Sequence, residues 1–161
     1  MEGISDSFKE AVWNYKKNTE ISSGTFVFKN DLIVAKITPS FENEKQALLY
    51  NLPMDCGYAT TEVWALNPKN NDCLNSYLYE YLKKENVRRD IAGKMEGSTG
   101  RQRVPRRVLG DTMFPKPDIQ EQKSIVDIFE RLDKKIQSEK NRKHSLEKLF
   151  QSLLKNLMTG K

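Results

Sequence analysis

Arg101, Gln102, Arg103, Arg106 and Arg107 fall within seven consecutive residues, four of them arginines. Arg can pair bidentately with guanine, Gln can do the same for adenine, and either can hold a phosphate oxygen. Just ahead, Gly93 to Gly100 carries Lys94 and Ser98. Its backbone N–H groups can face a phosphate, but no Gly-Lys-Ser/Thr closes it as a P-loop would require. A second polar set, Lys36, Thr38, Ser40, Asn43 and Lys45, follows an apolar run and suits contacts in a DNA groove. The structural alternatives are an exposed basic loop for the arginine run, a plain flexible turn for Gly93 to Gly100, and an ordinary surface turn for the second set.

Other strings look catalytic and fail on context. Pro117-Asp118…Glu121-Gln122-Lys123 spells PD…ExK, the pattern that holds Mg²⁺ in many nucleases. Here the two acids are three residues apart ahead of a helical pattern, where a capping box accounts for both. Asn51-Leu52-Pro53-Met54 lacks the second proline and the aromatic of the Asn-Pro-Pro-aromatic motif that grips a flipped base. His144 is the single histidine and sits on a charged helical pattern, where a histidine triad has no partner, and a multi-His metal site is impossible. The expectation is a chain with no catalytic residues and no metal or cofactor of its own.

Charge separates the chain into regions. Residues 1–82 hold 7 Lys+Arg against 11 Asp+Glu, whereas residues 83–107 hold 9 against 3. That basic stretch alone exceeds the net +5 of all 161 residues. Such a cluster suits a phosphate backbone, whose counterions are released on neutralisation. With 37% apolar and 9% aromatic residues the chain can build a core, which excludes general disorder. No apolar run is long enough for a membrane span, and MEGISDSFKE is acidic where a signal peptide is basic. Cys56 and Cys73 do not form a CxxC pair. A reduced, cytoplasmic protein is expected.

The elements that must position these groups read as α+β. Ser5 to Asn18 has a short-helix pattern, with Phe8, Val12 and Tyr15 on one side and Ser7 and Glu10 at capping-box spacing. Residues 25–28 and 32–37 read as strands joined by Lys29-Asn30-Asp31, a hairpin pattern. A loop at 38–45 precedes a third strand, Ala59 to Leu66, in which alternation explains Thr60, Thr61 and Glu62. Tyr58 and Trp64 are expected in the core. Asp72 is the expected N-cap of a helix to about Lys84. A short strand is expected near Val104 to Leu109, and Lys83, Lys84, Arg88, Arg89 and Lys94 are expected as backbone contacts or solvated charges.

Pro115 and Pro117 divide a domain over 1–117 from a helix over 118–161. No Pro or Gly interrupts that helix before Met158, which allows about 60 Å at 1.5 Å per residue. Ile125, Phe129, Leu132, Ile136, Glu139, Lys143, Leu146, Phe150, Leu153 and Leu157 recur in a 4-3 step. Eight of these ten are apolar, a heptad seam that requires a partner helix. Glu139 and Lys143 sit at its middle, so an antiparallel pair centred near residue 141 brings each near its opposite in the partner.

Together these segments resemble the target-recognition domain of type I restriction-modification specificity subunits. The resemblance is carried by IVAKITPSFENEKQAL (33–48), GYATTEVWALNP (57–68), GSTGRQRVP (97–105), FPKPDIQEQKSIVDIFERLDKKI (114–136) and LFQSLLKNLMTGK (149–161), in the family's order. It implies a small mixed α/β recognition domain that reads one half of a split site in double-stranded DNA. A long helix would pair antiparallel with another and act as a spacer. It further implies docking to methyltransferase and restriction subunits, which bind S-adenosylmethionine, ATP and Mg²⁺. The domain–helix unit occurs once where the family carries it twice, and few residues precede the first strand. The expectation is therefore an N-terminally shortened domain, as a homodimerising half or a part paired with a separate half. An interaction module that binds partners through the helix without reading DNA is the alternative.

Overall fold

The computed structural model describes Ile4 and residues 10–159. Five short strands come first: β1 (Thr25–Phe28), β2 (Leu32–Ala35), β3 (Gln46–Leu48), β4 (Cys56–Ala59) and β5 (Val63–Leu66). Four helices follow: α1 (Asn75–Leu82), α2 (Glu85–Ala92), α3 (Arg106–Gly110) and α4 (Ile119–Thr159). This is the mixed α/β architecture with a long C-terminal helix that the sequence patterns predict. The chain divides into two compact units, Met1–Lys123 and Ser124–Lys161.

β2 is the centre of the first unit. It pairs antiparallel with β3 on one side, Leu32 opposite Leu48, and with β5 on the other, Leu32 opposite Leu66. All four of its residues are buried because both faces are covered. Leu32 and Val34 pack with Phe41, Tyr79, Leu82, Ile91 and Val104. Ile33 packs with Val27, Ala47, Leu49 and Val63 on the opposite face. Each aliphatic side chain buried this way contributes about 1.5–3 kcal/mol. A continuous apolar run, LIVA, is what a strand buried on both faces demands.

Several local expectations are corrected. β1 and β2 do not form a hairpin: β1 pairs with β4, and the three residues between carry the chain into the other sheet. Asp31 fixes that turn, accepting the Phe28 N–H at 2.8 Å and the Asn67 Nδ2–H at 2.7 Å, while Asn30 takes a left-handed φ of 71°. The expected strand Ala59 to Leu66 is two strands, and Thr60, Thr61 and Glu62 make the turn between them. Thr60 Oγ1 accepts the Glu62 N–H there at 3.3 Å. The expected strand near 104–109 is largely α3, which begins after Pro105 at φ −64°, a value suited to helix initiation. Residues 12–17 are irregular and are followed by a 3₁₀ turn, Asn18–Glu20, where a helix was expected. Residues 5–9 of that expected helix, with Ser7 and Phe8, lie outside the described residues.

The helix expected from Asp72 begins three residues later and breaks at Lys83-Lys84 into α1 and α2. Asp72 is not its cap: its side chain accepts from Lys116 Nζ at 2.6 Å. The fully buried Gln122 does the work of joining this region. Its Oε1 accepts the Leu74 N–H at 2.9 Å, and its Nε2 donates to the carbonyls of Asp72 (3.0 Å) and Pro117 (2.8 Å). Tyr77 and Tyr81 donate their hydroxyls to Pro115 O and Met113 O, at 2.9 and 3.0 Å, fixing the proline segment on α1.

Candidate nucleic-acid interface

Two loops separated by about sixty residues in sequence meet beside the central sheet. The first, 37–45, is a tight turn closed by Phe41 N–H to Ile37 O (3.0 Å), Asn43 N–H to Pro39 O (2.9 Å) and Lys45 N–H to Ser40 O (3.0 Å). It is pinned from below. Phe41 is 1% exposed, and the Arg88 guanidinium stacks 4.4 Å from its ring centroid. Arg88 Nη1 donates to Phe41 O at 3.1 Å and Nη2 to Gln46 Oε1 at 2.6 Å. Gln46 in turn donates to Tyr79 O at 2.7 Å. Burial lowers the Arg88 pKa to about 10, which still leaves it charged near neutrality. Arg88 is therefore neither a backbone contact nor a solvated charge: it is a buried anchor for this loop.

The second loop spans 96–104. Arg103 bridges Glu96 on one side, through mutual backbone bonds of 2.9 and 2.8 Å, and Ile37 on the other. Gly97 at φ 127° and Gly100 at φ 79° turn the chain between them, and a Cβ on Gly97 would meet Arg101 O at 2.8 Å. The loops are stitched together by Thr38 N–H to Gln102 O (3.0 Å) and Val104 N–H to Lys36 O (2.7 Å). Trp64, half-buried, donates its indole N–H to Val104 O at 3.1 Å and carries Lys36 Nζ 4.3 Å above its ring.

Lys36, Thr38, Gln102 and Arg103 are thus brought together, with Ser40, Asn43 and Lys45 on the adjoining turn. Lys94, Ser98, Arg101, Arg106 and Arg107 are exposed on the second loop and its flanks. Their electrostatic states differ. Arg103 donates from Nε and Nη2 to the two carboxylate oxygens of Glu62, at 2.9 and 2.7 Å. This hydrogen bond lowers the Glu62 pKa, against the raising effect of burial, and charge–charge attraction from Arg103 and Lys36 adds to the lowering. Arg107 pairs with Glu96, and Lys94 with Asp90 at 2.7 Å. Among the described residues Arg101 and Arg106 have no carboxylate partner.

The remaining candidates resolve structurally. Asp118 Oδ1 accepts the Glu121 N–H at 2.9 Å, a helix cap. Asn51 donates to Ala11 O at 3.1 Å. Tyr58 is not core: it is 57% exposed and lies edge-on to Phe26, 5.3 Å between centroids, on the outer face of the β1–β4 ribbon. Pairing places Phe26 opposite Tyr58, and Phe28 is edge-on to Phe26 at 5.0 Å. The sequence signal for this patch was the alternation in TFVF, whose outward positions are both aromatic.

In the second unit, the seam residues Phe129, Leu132, Ile136, Leu146, Phe150, Leu153 and Leu157 are all exposed, and Ile125 is half-buried. Glu139 takes Lys135 at 2.8 Å, and Lys143 lies 3.7 Å from Glu147. Both are solvent-exposed pairs along one helix, worth about 0.3–0.5 kcal/mol each, and easily exchanged for pairs across an interface. No helix among the described residues is long and apolar enough to cross a membrane.

This combination of a strand-built unit and a long helix with heptad spacing has a family. Residues 3–148 match the sequence model of the type I restriction modification DNA specificity domain, and the chain belongs to that family. It is 36% identical over 118 residues to the type I restriction enzyme EcoAI specificity subunit of Escherichia coli, and 33% identical over 118 residues to the EcoEI specificity subunit of the same organism. Each match covers 73% of this chain and 20% of the relative, so the chain spans about a fifth of their length. Its fold is similar to that of the HsdS subunit from Thermoanaerobacter tengcongensis, with a TM-score of 0.71 at 18% identity, over 85% of this chain and 35% of that one.

Proposed function

We propose that the chain reads one half-site of a split duplex DNA target for a type I restriction-modification complex. The observation that carries this is the junction of the two polar loops, 37–45 and 96–104, with Arg101 and Arg106 beside it and without a carboxylate partner among the described residues. A positive, hydrogen-bonding surface on a rigid sheet suits DNA better than a small substrate. The chain is non-catalytic in this reading. S-adenosylmethionine, ATP and Mg²⁺ belong to the methyltransferase and restriction subunits. α4 pairs antiparallel with a second spacer helix, from another copy or a separate half, and the pair docks methyltransferase in the cytoplasm.

Charge reversal of Arg101, Arg103 and Arg106 together should abolish specific duplex binding while the circular dichroism spectrum is kept. Unchanged affinity would overturn the site. A methylation map of the host with and without the chain tests the role: loss of one split motif supports it. An unchanged map would favour an interaction module that engages partners through α4 alone.

A further inference from the structure

Of the four arginines on the second loop and α3, one is held differently from the rest. The Arg103 backbone is clamped on both sides, by Glu96 and by Ile37, so its Cα has little freedom. Its guanidinium is clamped too, because Glu62 occupies the side formed by Nε and Nη2. A guanidinium has five N–H donors in one plane. Two are used by Glu62, which leaves the end of the fork, one N–H from Nη1 and one from Nη2, parallel and directed away from the carboxylate. The side chain is 49% exposed, and among the described residues Nη1 makes no hydrogen bond. Arg101 shows the contrast: its backbone has one bond, to Ser98 O within its own loop, and its guanidinium has no carboxylate partner among the described residues.

We propose that Arg103 is the base-reading arginine of this surface, presenting its free fork to the O6 and N7 acceptors of a guanine in the major groove, and that Glu62 is the positioning residue that aims it. Arg101 and Arg106 hold phosphates. The physical reason lies in what each task needs. A phosphate contact tolerates many geometries and depends on net charge. Glu62 subtracts charge beside Arg103, so the pair is a poor choice for gripping a backbone. Base discrimination needs a planar fork fixed within a fraction of an ångström, and ordering the side chain before binding removes that entropic cost from the complex. Guanine fits because it alone presents two adjacent acceptors on its major-groove edge. The charge of Lys36, held over Trp64 next to Glu62, keeps the site net positive despite the carboxylate.

This inference rests on the reading of the chain as a DNA half-site reader, and one experiment separates the two. A randomised duplex library is selected on the full chain at physiological salt and sequenced, for the native protein and three variants. The native chain should select a motif with a strongly preferred guanine. Arg103→Lys keeps the charge but loses the fork, and should reduce the preference at that guanine by roughly five- to hundredfold. Glu62→Gln should weaken the same preference while affinity for the whole library does not fall. Arg101→Ala should lower affinity for every sequence alike and reduce the salt slope by about one, leaving the base profile in place. If Arg103→Lys retains the guanine preference, or weakens all sequences equally, Arg103 is a phosphate contact and the proposal is wrong. A Glu62→Gln profile identical to the native one removes the positioning role. If the native chain selects no motif, the half-site reading itself falls and takes this inference with it.

Discussion

Ile91 on α2 and Leu153 on α4 are both aliphatic residues in helices, yet Ile91 is 0% exposed and Leu153 is 51% exposed. The contrast holds for their neighbourhoods. α2 is eight residues long and contributes Val87, Arg88 and Ile91 to the buried set of its unit. The second unit keeps a row of large apolar side chains in solvent, from Phe129 at 41% to Leu157 at 80%. One unit closes its own core, and the two loops beside its central sheet turn polar groups outward, as a surface for a charged ligand does. The other is built on α4 from Ser124 onward, whose apolar stripe has the spacing for knobs-into-holes packing against a second helix. Their stabilities should therefore depend on different things, the first on packing within its own core and the second on concentration of a partner.

The largest expected effect comes from attacking the stripe. Phe150→Glu together with Leu153→Glu should convert an associated chain to a monomer at high micromolar concentration in sedimentation equilibrium. Thermal unfolding of the strand-built unit should be unaltered by the same pair. A native chain that sediments as a monomer at that concentration would break the contrast at its root, because α4 would then be stable with its stripe in water.

A smaller effect, confined to the other unit, should follow from Ile91→Ala. Deleting three carbons from a fully buried site removes transfer energy and leaves a cavity, so urea unfolding should show a loss of about 2–5 kcal/mol. Leu153→Ala measured in the monomer should stay within about 0.5 kcal/mol, as for other exposed positions. Equal losses at the two positions would mean that Leu153 is packed in solution.

The sequence disclosed these two regimes unequally. The heptad step from Ile125 to Leu157 and the cap at Asp118 depend on neighbours a few residues away, so α4 was legible almost to the residue. LIVAKI at 32–37 was legible as a strand for the same reason, and the structure pairs its first four residues as β2. Its partners were not: Lys29-Asn30-Asp31 has hairpin composition, but Asp31 bonds to Asn67, 36 residues on, and the turn serves a change of sheet. Arg88 shows the limit most clearly. Among nine basic residues between 83 and 107 nothing local marks it as the buried one, because Phe41 and Gln46, which make burial tolerable, lie more than forty residues earlier. The candidate site was legible as a set of residue types, and Lys36, Thr38 and Arg101 to Arg103 were named on that basis. Which arginines are paired was not, since Glu62 and Glu96 reach them only through the fold.

The smallest effect concerns that pairing, and it extends the contrast to the candidate surface itself. Exposed ion pairs contribute little to stability, so Glu62 and Arg103 should matter for orientation and hardly for unfolding. Arg103 holds the Glu62 carboxyl below its ordinary value of 4.5, chiefly by the hydrogen bond and against partial desolvation. The folded chain therefore binds fewer protons at this site than the unfolded chain. The contribution of the pair is complete above pH 4.5 and is lost as pH falls through the lower folded value. NMR titration of the Glu62 side-chain carboxyl should show a midpoint below 4.5, and Arg103→Gln should return it upward with almost no change in melting temperature. A midpoint at 4.5 in the native chain would mean that Arg103 does not hold Glu62 in solution. A large drop in melting temperature would mean that the pair belongs with the core, and the division between a packed interior and an oriented surface would have to be drawn elsewhere.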